Sequence, residues 1–140
     1  MEALIPGMLI WICLQIGCEP PPPPDIILVS QEVLLELVYG DKPHEGAYVC
    51  GLYDDKTQTV WLPHECRADD LSDQSTLLHE LVHHVQTVTK MEYPCLAARE
   101  PLAYGLQAQW LQEHGVEDPC AMMGVDDFTI LIRSICWPVE

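Results

Sequence analysis

The spacing of apolar residues changes several times along the 140-residue chain. Asp25 to Ser30, DIILVS, is a short apolar run that predicts a strand. In the following SQEVLLELVYG, Val33, Leu34, Leu37 and Val38 recur at helical spacing, and Gly40 is a natural stop. A polar loop covers Gly40 to Gly46. AYVCGLYD and TQTVWLP are β-rich runs flanking Asp54-Asp55-Lys56, which predicts a hairpin. His64 to Asp73 is a polar connection. Ser72 or Asp73 is then placed to cap a helix running to about Lys90. MEYPC breaks that helix. A second helix follows from about Ala97 to His114, with Pro101 tolerable only in its first turn. A last helix, about Asp126 to Ile135, would place Phe128, Leu131, Ile132 and Ile135 on one face. A small sheet followed by helices reads as an α+β domain.

The N-terminus does not fit this pattern. Leu4 to Cys18, LIPGMLIWICLQIGC, is apolar but short for a membrane span, and it reads as a secretion signal. Met1-Glu2-Ala3 ahead of it carries no basic residue. Cys18 after Gly17 resembles a bacterial lipobox and is a candidate lipid anchor, with Gln15 where leucine is usual. The five prolines Pro20 to Pro24 then form an extended, semi-rigid spacer. The expected organisation is a signal over 1–18, a spacer over 19–25 and a domain over 26–140. The chain would be exported and periplasmic, membrane-tethered or secreted.

Composition narrows the partners. The formal net charge is −16, from 22 acidic and 6 basic residues, so phosphate backbones and anionic lipid headgroups are repelled. No nucleic acid partner is expected. Apolar residues make up 49%, enough for a core. Beyond Cys18 there are Cys50, Cys66, Cys95, Cys120 and Cys136, with no Cys-x-x-Cys pair, which argues against a thiolate zinc knuckle. An oxidising compartment predicts one or two disulfides, with Cys95–Cys120 the first choice because they bracket one helix; buried free thiols are the other reading.

The chemistry concentrates in LLHELVHHVQ, Leu77 to Gln86. On a helical wheel Leu77, Leu78, Leu81, Val82, Val85 and Val88 fill one arc. His79 and His83 lie off its centre, one turn apart, so both imidazoles can reach one cation. Glu80 is turned about 100° from His79 and can reach a water bound to that cation. In a His-Glu-x-x-His helix, neutral imidazoles suit zinc, the metal acidifies its bound water, and the carboxylate takes the proton. A catalytic zinc keeps three protein ligands. Glu100 lies seventeen residues beyond His83, and an antiparallel helical hairpin would bring it level. Glu100, Tyr104, Gln107 and Leu111 share one face of that second helix.

HELVH followed by EPLAY resembles the gluzincin branch of zinc metallopeptidases, over about residues 47–114. It is most similar to small bacterial exported members. The resemblance implies a zincin-like fold, Zn2+ held by His79, His83 and Glu100, and Glu80 as general base and acid. It implies a peptide or protein substrate. Several gluzincins carry an Asp four residues after the ligand Glu; Tyr104 stands here instead, to hydrogen-bond His79 or to donate to an oxyanion. Ala103 suits close helix packing. By the same analogy TVWLP forms the upper rim of the cleft. His84 is expected to play a supporting or surface role, His44, His64 and His114 to face solvent, and Trp61 to join the hairpin core. The alternative is a non-enzymatic exported zinc-binding or envelope-associated module, which needs a fourth protein ligand from His84 or Glu113.

Overall fold

The fold was read from a computed structural model that describes residues 1–137. The last three residues of the expected 26–140 domain lie outside the described residues. Helices α1 (Ile5–Ile16), α2 (Gln31–Tyr39), α3 (Leu71–Val88), α4 (Glu100–Glu113), α5 (Pro119–Met123) and α6 (Asp127–Arg133) surround strands β1 (Asp25–Val29), β2 (Leu52–Asp54) and β3 (Thr59–Pro63). The class is α+β. Among the described residues the sheet has the order β1-β3-β2. β1 pairs parallel with β3, Asp25 opposite Thr59, and β2 pairs antiparallel with it, Leu52 opposite Trp61. TVWLP is therefore the central strand and cannot be the rim. Both of its edges are already paired, and β2 and β1 are the sheet's edges. Trp61 is half-buried, while Val60 and Leu62 beside it are fully enclosed.

α3 is the axis of the molecule. The Asp70 side chain caps it by accepting the Asp73 amide at 2.9 Å, two or three residues ahead of the cap the sequence suggested. From Leu77 to Gln86 every side chain is buried. α3 packs against β2 and β3, against α1 and against α4. Its histidine face is therefore largely covered by α4, with Glu100 and the edge of His79 still partly exposed. α4 begins at Glu100 behind a 3-10 turn, Leu96–Arg99, with Pro101 in its first turn where a missing N–H costs nothing. The helix expected from Ala97 is thus split at Arg99.

The apolar N-terminal segment, read above as a signal, is here part of the core. Ile5, Met8, Leu9, Ile12 and Cys13 are buried in the same cluster as Leu77, Leu81 and Val85. Gly17, at φ 79°, ends α1 in the left-handed region. The proline run also touches the domain. His84 Nε2–H donates to the Pro22 carbonyl at 2.8 Å, while Tyr53 O–H donates to His84 Nδ1 at 2.9 Å. His84 is buried on the far side of α3 from the other two histidines' partners, and burial holds its pKa down, so it stays neutral. Burial likewise raises the Tyr53 phenol to about 12, keeping its proton available.

The cysteines join Cys13 to Cys18 and Cys95 to Cys136. The expected Cys95–Cys120 bridge is not formed. Cys120 sits in the first turn of α5, whereas the chain after α6 folds back toward the turn before α4. Two disulfides point to an oxidising, non-cytoplasmic environment. Among the described residues no helix is long and apolar enough to cross a membrane. α2 and α6 keep much of their apolar surface outside: Val33, Leu37 and Val38 on one, Phe128, Leu131 and Ile132 on the other.

Two stability predictions follow from this packing. Ile12 is fully buried against α3, so Ile12→Ala is expected to cost about 2–5 kcal/mol in a denaturant melt; an unchanged midpoint would mean that α1 does not belong to the folded core. Cys136→Ser opens a 41-residue loop and is expected to cost about 2–4 kcal/mol, whereas Cys120→Ser should leave the melt within about 1 kcal/mol of the parent.

Candidate metal centre

Two neighbouring helices bring the sequence-selected residues together. His79 and His83, one turn apart on α3, have ring centroids 4.9 Å apart. Glu100, at the start of α4, reaches both. Its Oε1 lies 2.7 Å from His83 Nε2 and its Oε2 lies 3.2 Å from His79 Nε2. The donor atoms of His79, Glu80 and His83 all lie within 4.8 Å of one another, a group able to hold a metal ion.

Hydrogen bonds on the outer nitrogens decide what the inner ones can do. The Ser75 hydroxyl donates to the Ser72 carbonyl at 2.8 Å. It must then accept from Gln107 Nε2, 3.1 Å away. That turns Gln107 Oε1 toward His79 Nδ1, at 2.9 Å, so the proton of a neutral His79 sits on Nδ1. The same logic holds one turn on. Gln86 Nε2 donates to the Arg99 carbonyl at 3.1 Å, which has no proton to give. Gln86 Oε1 therefore accepts from His83 Nδ1–H at 2.9 Å. In their neutral forms both imidazoles aim an Nε2 lone pair at the Glu100 carboxylate. Three electron-rich groups facing one point need a positive charge between them.

The titration behaviour agrees. Burial pushes the His79 pKa down, but the Glu100 contact and the charges of Glu80 and Glu100 outweigh it and leave it raised. Burial pushes the Glu100 carboxyl up, but the two imidazoles overcome it and hold it far below the usual carboxylate range. A dication bound to the same three lone pairs would supply the positive charge they call for.

Glu80 is buried, yet its carboxylate makes no hydrogen bond to the chain among the described residues. Gly51 lies against it: a β-carbon there would come within 3.3 Å of Glu80 Cγ and 3.1 Å of Leu62 and Thr76 side-chain carbons. Glycine lets the backbone entering β2 approach this closely without pushing those side chains aside. Tyr104 does not hydrogen-bond His79, a place that Gln107 occupies. Its ring packs edge-on against the His79 ring at 4.5 Å, and its hydroxyl accepts from Arg133 Nη1 at 2.8 Å. His44 stacks on Tyr39 and His114 on Trp110, away from this cluster, and His64 is exposed. Neither proposed fourth ligand comes in. His84 is bound to Tyr53 and Pro22, and the Glu113 carboxylate accepts from Trp11 and Gln109.

Sequence reasoning assigned no role to Gln86, Gln107, Ser75, Gly51 or Arg133. Gln107 had a visible signal, seven residues beyond Glu100 on its face of α4. Gln86 likewise stands three beyond His83. Arg133 had none, because the return of α6 across α4 is a tertiary event.

No curated protein and no solved structure matches this chain. A family model described as a domain of unknown function, DUF6647, matches residues 1–138, and so includes α1 and the proline run together with the histidine helix. With almost its whole length matched, the chain belongs to that family, DUF6647.

Proposed function

We propose that this protein is a zinc-dependent metallopeptidase, with His79, His83 and Glu100 as metal ligands and Glu80 as the proton-transfer group. The observation that carries the reading is the convergence of two tautomer-fixed Nε2 lone pairs on one carboxylate. Two imidazoles and one carboxylate are a donor set suited to zinc. Zinc bound there would supply a Lewis acid and an acidified water at its open vertex.

The chain's own groups do the rest. Glu80 is unpaired among the described residues and lies beside the ligands, where it can accept a proton from water and return it to a leaving amine. Tyr104 accepts from Arg133, which leaves its own O–H to donate, so a developing oxyanion beside His79 has a donor at hand. The backbone from Cys50 into β2 runs past Glu80 at the sheet edge, a suitable track for an extended peptide. The Gln31 side chain holds that track by pairing with both the amide and the carbonyl of Val49.

A purely structural metal site is the weaker reading, since His84 and Glu113 are engaged elsewhere. Glu80→Gln is expected to bind one equivalent of zinc as the parent does while losing 100-fold or more of peptide turnover (about 10²–10⁴ for a general base); undiminished turnover would rule out this role. Gln107→Ala is expected to weaken zinc binding about 10- to 100-fold in a chelator competition, because it frees the His79 ring to turn and its tautomer to change.

A further inference from the structure

Arg133 is one of the few cations in this chain. Only six Lys and Arg residues stand against 22 acidic ones. Arg67 is bound to Asp69. Arg133, like Arg99 and the lysines, pairs with no carboxylate among the described residues, and its place sets it apart. Its Nη1 donates to Tyr104, whose ring rests on a metal-ligand histidine. It is the last residue of α6, and three residues later Cys136 is bonded to Cys95, in the turn that leads into Glu100. The arginine is therefore tethered at the mouth of the metal centre from two sides, through Tyr104 and through the disulfide.

Charge gives this placement a meaning. With a dication in place, the charges of Glu80 and Glu100 cancel it, and Arg133 leaves the mouth of the site one unit positive. The surface around it belongs to a chain of net charge −16. Four of the five guanidinium N–H donors are not used on Tyr104, and their planar fork matches a carboxylate.

We propose that Arg133 determines specificity by binding a carboxylate of the substrate close to the scissile bond. The proposal rests on the metallopeptidase reading and adds the substrate class: peptides with an anionic group on the leaving-group side, either a free C-terminus or an acidic side chain. Neutral or basic residues at that position would leave the fork unpaired.

The test uses the full chain loaded with zinc and three probes: acetohydroxamate, N-hydroxysuccinamic acid, which adds a carboxylate, and the amide of that acid. The acid is expected to bind about tenfold tighter than its amide, the scale of one charge-assisted contact. Arg133→Gln should abolish that preference while zinc content stays the same; a change in hydroxamate affinity passed on through Tyr104 is common to acid and amide and cancels in their ratio. Arg133→Lys, which keeps the charge but not the fork, should retain part of it and serves if the glutamine variant loosens α6. Equal binding of acid and amide by the parent, or a preference that survives Arg133→Gln, overturns the proposal. Failure to bind zinc or acetohydroxamate would instead sink the metallopeptidase reading, and this proposal with it. Hydrolysis of a blocked tripeptide as free acid, as amide, and as an amide with glutamate after the scissile bond then separates the two sources: preference for the free acid assigns the C-terminus, and preference for the glutamyl amide assigns the side chain.

Discussion

The Glu100 carboxylate, facing two imidazole nitrogens whose protons are held on their far sides, is the constraint around which this molecule is arranged. It joins the two long helices at one point. It requires that Gln107 and Gln86 be oriented, which in turn requires Ser75 and the Arg99 carbonyl as their partners. None of these contacts tolerates water in its place without releasing a ring to rotate. The burial of Leu77 to Gln86 follows from that demand as much as from hydrophobicity, since charged and polar groups this close need a dry, fixed setting to keep their geometry.

The parts of the fold that rest on local periodicity were legible in the sequence. The α3 pattern, the break at Tyr93-Pro94 and the polar face of α4 were enough to place Glu100 opposite His79 and His83. The hairpin was visible because β-rich runs flanked a polar turn; in the structure Asp54 accepts from Lys56 and Thr57 to close it. Long-range pairing was not visible. Nothing in DIILVS says that it runs parallel to β3, and nothing in the cysteine spacing selects Cys136 over Cys120 as the partner of Cys95.

The apolar N-terminus shows how one composition can support two outcomes. A secretion signal and an amphipathic core helix both need a short run of large aliphatics, and the chain offers such a run with no charge to separate the cases. Packing on α3 and the hydrogen bond from His84 to Pro22 tie this region to the domain. The exposed face of α6 is the converse case. Its helical spacing suggested a core contact, yet Phe128 and Leu131 remain outside, because the helix docks on α4 near its end, through Arg133 and the chain that follows.

The proline run has an effect on association between molecules. β1 is an edge strand, and Ile27 and Leu28 on it are substantially exposed, the kind of surface along which two copies could zip together. Pro20 to Pro24 directly precede it and carry no amide hydrogens. A stranger's backbone laid along that edge would find donors from Asp25 onward and none on the N-terminal side of the strand, so the ladder cannot extend in that direction.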